Sequence, residues 1–303
     1  IRDPEMSRGL GDVYKRQLSG KATYSETENE LTVKAKNHTF IFSKRDGQLK
    51  GVSVNNHKIS FANGPRFIGA RRADRSLDQF YNHDDEKAKE KDRTYSEFPA
   101  AAVFTKLEVK EDGGNLIVTA NYKLGNLDKA QWTINPNGEA ALDYTYNFSG
   151  VVDLIGISFD YPEDQVISKR WLGAGPYRVW QNRIHGTQYD VWENDYNDPI
   201  PGETFTYPEF KGYFDSVSWM NIRTKEGTIS LTNETPDSYI GVYQPRDGRD
   251  RLLYTLPESG ISVLDVIPPV RNKVNSTDLC GPSSQPKWVN GPQTGRIIFR
   301  FME

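Results

Sequence analysis

The chain has 303 residues, with 38 basic and 41 acidic side chains and a formal net charge of −3. Because this balance leaves no basic stripe for a phosphate backbone, nucleic acid is not an expected partner. No run of about 18 apolar residues occurs, so no membrane span is expected. The single cysteine, Cys280, excludes an internal disulfide and a cysteine-based metal cluster.

The first seventeen residues differ from the rest of the chain. Residues 1–17 have no hydrophobic periodicity and lack the apolar core of a signal peptide. Asp12–Gln17, DVYKRQ, back-translates to a string that looks like a transposon end used in preparing shotgun sequencing libraries. We therefore expect residues 1–17 to be a disordered, adapter-derived segment, with a natural linker as the alternative. On this interpretation the chain is a metagenomic fragment, and residues 18–303 form a single domain.

From Leu18 onward apolar residues recur with a period of two, which is typical of β-strands. Turn-forming Gly and Asn residues separate the apolar runs. Only the charged segment Asp84–Asp92 departs from this pattern, as a solvated loop or a short helix. Strands are predicted at Leu31–Ala35, Thr39–Ser43, Leu49–Val54, Ala101–Val109, Leu116–Tyr122, Ala130–Ile134, Ala140–Phe148, Leu154–Asp160, Val217–Arg223, Thr228–Thr232, Ile240–Gln244 and Ile297–Phe301. The expected fold class is all-β, a large antiparallel β-sandwich.

The segment Arg170–Asp198, RWLGAGPYRVWQNRIHGTQYDVWENDYND, combines three tryptophans with three arginines and one histidine. Its GAG lacks the third glycine of a dinucleotide fingerprint, so a nucleotide site is not expected. A Gly-Pro turn after a strand would instead present aromatic and Arg side chains, which bind sugar faces and hydroxyls. Three candidate sugar-binding residues lie in this turn or shortly after it: Tyr177, Arg178 and Arg183. The alternative is that Trp171, Trp180 and Trp192 are core residues.

Further candidates follow along the chain. A long irregular loop, Ser276–Gln293, precedes the last predicted strand and offers Trp288 as a second sugar contact. Cys280, in the same loop, is expected to be a small buried residue. The Asx-rich ENDYND could offer oxygen ligands to Ca²⁺, but it lacks the spacing of an EF-hand and is interpreted as a turn, so no metal is expected. The full set of candidate carbohydrate-binding residues is Tyr177, Arg178, Trp180, Arg183, Trp192, Asp195, Glu209 and Trp288.

Three segments resemble the C-terminal domain of glycoside hydrolase family 2 β-galactosidases. Residues 170–183, RWLGAGPYRVWQNR, look like its motif W-x-G-x-G-P-x-E-x-Y-x-D-R. Tyr207–Ile222 resembles its P-Q-E-N-G-x-R-x-x-V-R-W-x-x-L segment, and residues 40–59 followed by GPRF resemble its opening. The similarity covers residues 31–301 in the correct order. It implies a galactose-mutarotase-like β-supersandwich that belongs to the C-terminal part of a longer enzyme.

The resemblance also implies a function. The two catalytic glutamates of that family lie on a barrel domain, which would precede this chain. The chain would then be non-catalytic, would bind an oligo- or polysaccharide without a cofactor, and would shape the active-site mouth of the barrel. Such enzymes are secreted or periplasmic in polysaccharide-degrading bacteria, which is the expected compartment.

The departures from the family motif indicate a divergent branch, in which galactose specificity does not carry over. The family's Glu, Tyr and Asp are replaced by Arg178, Trp180 and Asn182. Ile261 or Ser262 stands where well-studied β-galactosidases place a sugar-binding Trp.

Two other functions remain open from the sequence. The first is a free-standing carbohydrate-binding module. The second is a mutarotase- or lyase-like enzyme on the same fold, in which a histidine acid and a carboxylate base act on the sugar. His185 is the candidate acid and Glu209 or Glu193 its partner, although a loop histidine bonded to the backbone is the simpler interpretation.

Overall fold

The computed structural model describes residues 20–72, 95–98, 102–195, 212–235, 237–242, 257–269 and 281–303. Within these ranges the regular structure is β-strand, apart from the 3-10 turns Glu163–Gln165 and Pro282–Ser284. The predicted all-β fold class is therefore confirmed. The predictions for residues 1–17, Asp84–Asp92 and Cys280 lie outside the described residues.

Twenty-two strands are present in the described part of the chain. They are β1 (Thr23–Glu26), β2 (Glu30–Ala35), β3 (His38–Ser43), β4 (Leu49–Val54), β5 (His57–Ile59), β6 (Ala62–Arg72), β7 (Tyr95–Glu97), β8 (Val103–Asp112), β9 (Asn115–Lys123), β10 (Leu127–Ile134), β11 (Ala140–Asn147), β12 (Gly150–Val152), β13 (Leu154–Asp160), β14 (Val166–Gly175), β15 (Gln188–Asn194), β16 (Phe214–Asp215), β17 (Trp219–Thr224), β18 (Gly227–Asn233), β19 (Tyr239–Val242), β20 (Ile261–Val266), β21 (Lys287–Val289) and β22 (Pro292–Met302).

The strands form two large antiparallel sheets and one small ribbon. An eleven-stranded sheet has the order β1-β2-β3-β4-β6-β13-β20-β19-β16, with β5 paired to β4 and β7 paired to β6. A nine-stranded sheet has the order β15-β14-β17-β18-β22-β11-β10-β9-β8. The strands β12 and β21 pair only with each other. The last strand, β22, lies between β18 and β11, so the end of the chain is in the middle of its sheet.

The main core lies between the two large sheets, because alternation sends every second side chain of each strand inward. Its centre is aromatic. The ring of Phe61 stacks on Phe159 with centroids 4.5 Å apart and meets Phe299 of the opposite sheet at 5.0 Å. Trp132 in β10 similarly reaches Phe42 of the opposite sheet at 6.1 Å. Burial of each such ring contributes roughly 1.5–3 kcal/mol, so this cluster joins the sheets.

A second apolar layer covers the outer face of the eleven-stranded sheet. Alternation in β6 and β20 points Ile68 and Leu264 away from the main core. There they pack against Val179, Trp180 and Tyr213, which follow β14 and precede β16. The chain after the Gly-Pro turn therefore leaves the nine-stranded sheet and lies on the outside of the other sheet.

Several strands were missed or misassigned by the sequence pattern. The sequence pattern predicts a loop where β15 lies, because Gln188, Asp190, Glu193 and Asn194 leave this edge strand without a regular apolar alternation. The irregular loop predicted at Ser276–Gln293 contains β21 and the start of β22. The strand β6 went unrecognised because Asn63, Gly64 and Pro65 interrupt its alternation. The strand β20 was also missed; almost all its residues are buried, so it shows no period of two.

Candidate functional site

The aromatic segment begins with β14, whose glycines allow close packing. The indole of Trp171 is 1% exposed and lies edge-on to Phe214 with centroids 4.9 Å apart. A Cβ on Gly173 would lie 3.0 Å from the backbone of the chain at Asp215, and one on Gly175 would overlap the ring of Trp192. The W-x-G-x-G pattern is therefore explained by packing between β14, β15 and β16.

Beyond Pro176 the chain pairs with residues close to β16. Val179 and Tyr213 exchange two backbone hydrogen bonds of 2.7 and 2.9 Å. The indole of Trp180 is 4% exposed and contacts Tyr213 with centroids 5.4 Å apart. Trp180 therefore belongs to the second apolar layer, as the core alternative stated. This burial does not fit its prediction as a sugar-stacking residue.

Three candidate residues are exposed on the loop between β14 and β15. Tyr177 is 48% exposed, and Arg183 and His185 are exposed. The Tyr177 hydroxyl donates to the backbone carbonyl of His185 at 3.3 Å, and it lies so close to Gly186 that a Cβ there would be 2.7 Å away. Tyr177 is therefore held across the loop, with one side of its ring in solvent.

The same loop is joined to the segment before β21, a contact that the sequence did not predict. The Gln181 side-chain amide donates to the carbonyls of Ser283 and Gln285 at 3.0 and 2.7 Å. The Asn182 amide donates to the Ser284 hydroxyl at 3.0 Å. The Asn that replaces the family's Asp is thus a hydrogen-bond donor here. No local signal marks Gln181, because its partners lie about a hundred residues away in sequence.

This contact brings Trp288 close to the loop. Trp288 is 70% exposed and lies in β21, opposite Val151 of β12. It is three residues beyond Gln285, which corresponds to at most about 10 Å of extended chain. The exposed indole and the exposed ring of Tyr177 therefore occupy neighbouring segments. We call the exposed surface of Tyr177, Arg183, His185 and Trp288 the loop surface.

The remaining candidates lie beside or outside the loop surface. Trp192 is half-buried against the main core, and its indole N–H donates to the carbonyls of Gly173 and Gln188 at 3.2 and 3.1 Å. Arg178 is half-buried, with its guanidinium 5.8 Å from the ring centre of Phe214. Asp195 is exposed just after β15. Glu209 lies outside the described residues.

One carboxyl group that the sequence did not single out lies half-buried between the sheets. The hydroxyl of Tyr146 in β11 donates to the carboxylate of Asp265 in β20. Burial raises the pKa of the Asp265 carboxyl, and the hydrogen bond from Tyr146 opposes that shift. Burial and the nearby charge of Asp265 in turn raise the pKa of Tyr146, so its phenol stays protonated. A retaining glycosidase needs two carboxyl groups about 5 Å apart, whereas the group in contact with Asp265 is a tyrosine.

Two other kinds of site are not found within the described ranges. No group of three or more His, Cys, Asp or Glu side chains there is placed to hold a metal ion. In the same part of the chain, no helix combines the length and the apolar character needed to cross a membrane.

Comparison with known proteins identifies the family. The family model for the β-galactosidase small chain matches residues 34–261, which is more than half of the chain. The chain belongs to the β-galactosidase small chain family. No curated protein matches it. The small-chain match contains the loop between β14 and β15 but ends before β21, so Trp288 lies beyond it.

Solved structures similar to this small-chain protein are sugar epimerases and their homologues. Galactose 1-epimerase from Lactobacillus acidophilus is 10% identical, with a TM-score of 0.52 over 94% of this chain and 99% of that one. A galactose mutarotase-like protein from Lactobacillus casei is 11% identical, with a TM-score of 0.37 over 92% and 99%. An aldose epimerase homologue from C. elegans is 8% identical, with a TM-score of 0.36 over 93% and 99%. The first of these shows that the small-chain fold is galactose-mutarotase-like.

The opening motif that suggested the small-chain resemblance is structural in this protein. Phe40, Phe42 and Leu49 are fully buried in the main core. Gly47 has a φ of +73°, and a Cβ on it would lie 2.7 Å from the ring of Phe104. The motif therefore specifies the β3–β4 hairpin and its packing against β8, and it contains no group of the loop surface.

Proposed function

We propose that this small-chain domain is the carbohydrate-binding C-terminal part of a family 2-like glycoside hydrolase, and that it does not hydrolyse glycosides alone. The catalytic glutamates would then lie on a barrel domain of the same enzyme. Family membership supports this proposal, because the matched model is that of a β-galactosidase small chain.

The observation that carries the proposal is the connection from Gln181 to the segment before β21. It joins the loop that carries Tyr177, which is 48% exposed, to the segment that precedes Trp288, which is 70% exposed. Tyr and Trp are enriched at binding interfaces, so side chains of these two types that are this exposed are candidate ligand contacts. Flat aromatic rings stack on the apolar faces of sugars, and Arg183 supplies donors for ring hydroxyls.

A binding experiment tests the loop surface. We expect the chain to bind β-linked oligosaccharides, and Trp288→Ala to weaken binding about tenfold, equivalent to about 1.4 kcal/mol. Tyr177→Ala should weaken binding to a smaller extent. Tyr24→Ala is the matched control, because Tyr24 is 45% exposed but lies on the edge strand β1. Isothermal titration with each variant gives the dissociation constants.

Two results would contradict the proposal that the domain binds carbohydrate. One is equal affinity for the wild type, Trp288→Ala and Tyr24→Ala. The other is the absence of binding to any oligosaccharide when a folded chain is confirmed by circular dichroism. The same panel of sugars can include β-linked glucose and xylose oligomers, since the departures at Arg178 and Asn182 leave galactose specificity open.

Activity assays test the proposal that the domain is not catalytic by itself. We expect residues 18–303 neither to hydrolyse an aryl β-galactoside nor to accelerate the interconversion of galactose anomers followed by polarimetry. Catalysis that His185→Ala or Glu209→Ala abolishes would favour the mutarotase-like or lyase-like alternative instead. Reading the gene upstream of the codon for Leu18 distinguishes the enzyme domain from a free-standing module: an in-frame barrel supports the former, and a stop codon the latter.

A further inference from the structure

A concave site lies at the opposite edge of the nine-stranded sheet from the loop surface. A cavity of about 160 Å³ opens where the β3–β4 hairpin meets β6 and the strands β8 to β10. The loop surface lies beside β14 and β15, whereas β8 and β9 are at the other end of the strand order. The residues that give the cavity its chemistry are Arg45, Asp46, Gln48, Arg66, Phe104 and Tyr122.

One side of the cavity is aromatic and fixed in place. The rings of Phe104 and Tyr122 meet edge to face with centroids 5.9 Å apart. The Tyr122 hydroxyl donates to the carbonyl of Asp46 at 2.9 Å, which joins β9 to the β3–β4 turn. Gly47 leaves room for the ring of Phe104, so the hairpin and the aromatic wall are packed together.

The arginines at the cavity are held by groups of the protein. Arg45 donates from Nε and Nη2 to the side-chain oxygen of Asn29 at 3.2 and 3.1 Å. Arg66 pairs with Asp160 and also donates to the carbonyl of Glu258 at 3.0 Å. Because these side chains are already oriented, a ligand would meet them with little further loss of rotamer freedom.

The acidic side of the cavity is equally well ordered. The carboxylate of Asp46 forms an ion pair of 2.9 Å with Lys50 and accepts the backbone N–H of Gln48 at 3.0 Å. Burial opposes ionisation here, but the hydrogen bonds from Lys50, Gln48 and Ser43 leave the pKa of Asp46 below its usual value. Asp46 is therefore an acceptor beside the donors of Arg45 and Gln48.

This mixture of groups selects a class of ligand. A hydroxyl group both donates and accepts, so it can use Asp46 together with Arg45 and Gln48, whereas a carboxylate only accepts and offers Asp46 no donor. An engineered cavity of 150 Å³ holds one benzene ring, so 160 Å³ corresponds to one six-membered ring. We propose that this cavity binds a single neutral pyranose unit, with a ring face against Phe104 and Tyr122.

The proposal does not depend on the loop surface and is tested separately from it. Saturation-transfer NMR and titration calorimetry with galactose, glucose and glucuronate measure binding to the whole chain, which we expect to be about millimolar for the neutral sugars. Gln48→Ala should weaken neutral monosaccharide binding several-fold to about tenfold. Ala102→Leu, which fills the cavity from its apolar side, should abolish the binding.

One control variant lies outside both proposed sites. Gln188→Ala, which truncates an exposed glutamine on the distant edge strand β15, should leave monosaccharide binding unchanged. Gln48→Ala and Ala102→Leu act through different parts of the cavity, so one folded variant is enough for the test. The proposal is overturned if no neutral monosaccharide binds, if both cavity variants bind like the wild type, or if glucuronate binds more tightly than galactose.

Discussion

Three glycines differ in backbone conformation and in the space around an added Cβ. Alanine substitutions at these positions can therefore separate the effect of backbone strain from that of overpacking. Gly47 has a φ of +73°, and a Cβ would lie 2.7 Å from Phe104 and 2.8 Å from Ala120. Gly113 has a φ of +57° with no atom within 4 Å of the added Cβ. Gly51 has no positive φ and also has open space around it.

We therefore predict a graded loss of stability in three alanine variants. Gly47→Ala should lower the free energy of unfolding by about 2–4 kcal/mol, because left-handed strain adds to overpacking. Gly113→Ala should lower it by about 1 kcal/mol through strain alone. Gly51→Ala should change it by less than about 0.5 kcal/mol. Urea unfolding measures all three, and equal losses for Gly47→Ala and Gly113→Ala would contradict the packing argument.

The half-buried carboxyl of Asp265 predicts a specific pH dependence. Because burial raises its pKa in the folded state, the native protein binds more protons than the unfolded chain above about pH 4. Stability contributed by this group is therefore lost as pH rises through the folded pKa. Asp265→Asn removes this loss, so its free energy of unfolding should rise relative to wild type as pH increases.

The measurement is urea unfolding of both proteins over a pH series that starts near about pH 4. Asp128→Asn is the control, because Asp128 is exposed on β10. The free-energy difference between Asp265→Asn and wild type should rise over this series by more than the difference between Asp128→Asn and wild type. If the free-energy difference between Asp265→Asn and wild type does not change with pH, the Asp265 carboxyl of the wild type has the same pKa in the folded and unfolded states.

At the scale of elements, the segment before β21 depends on Gln181. Gln181→Ala removes two hydrogen bonds, to Ser283 and Gln285, which contribute roughly 1–3 kcal/mol together. We expect local opening of residues 281–289, with amide exchange there about tenfold faster for each 1.4 kcal/mol lost. Gln188→Ala, which removes an exposed amide on β15, should leave exchange of this segment unchanged. Protection unaltered in Gln181→Ala would mean that other contacts hold the segment.

Strand recognition from sequence succeeded where one face of a strand meets water. The strand β9 alternates buried and half-buried residues and was predicted to within one residue at each end. The strand β20 shows no such alternation, because its inward residues join the main core while Leu264 joins the second apolar layer. The second layer is built by residues near Trp180, and nothing local in β20 predicts that they cover it.

The candidate site, like the strands, could be predicted from the sequence only in part. Exposed side chains such as Tyr177 could be recognised from their type and turn context. The difference between Trp180, which is buried, and Trp288, which is 70% exposed, follows from tertiary packing rather than from local sequence. The partnership of Gln181 with Ser283 also joins segments 102 residues apart, which no periodicity reports.

At the scale of the whole molecule, the outer face of the nine-stranded sheet is unusual for an antiparallel sheet. The register aligns one outward row across its strands: Val191, Leu172, Trp219, Thr232, Ile298, Ala141, Thr133 and Ile117. Polar rows lie on both sides, with an ion pair of 2.6 Å between Arg300 and Glu139 and another of 2.6 Å between Arg296 and Asp143. An apolar strip with a polar rim is typical of a contact surface.

If the proposed function is correct, this outward row is where we expect the catalytic part of the enzyme to contact the domain. Leu172→Glu in the full-length enzyme should lower activity on an aryl β-galactoside and increase acrylamide quenching of Trp219. In residues 18–303 alone the same change should have a small effect, about 0.5–1 kcal/mol, because Leu172 is half-buried there. Gln131→Glu, in the neighbouring polar row, is the control. If Leu172→Glu changes neither the activity of the full-length enzyme nor the quenching of Trp219, the catalytic part contacts another face of the sandwich.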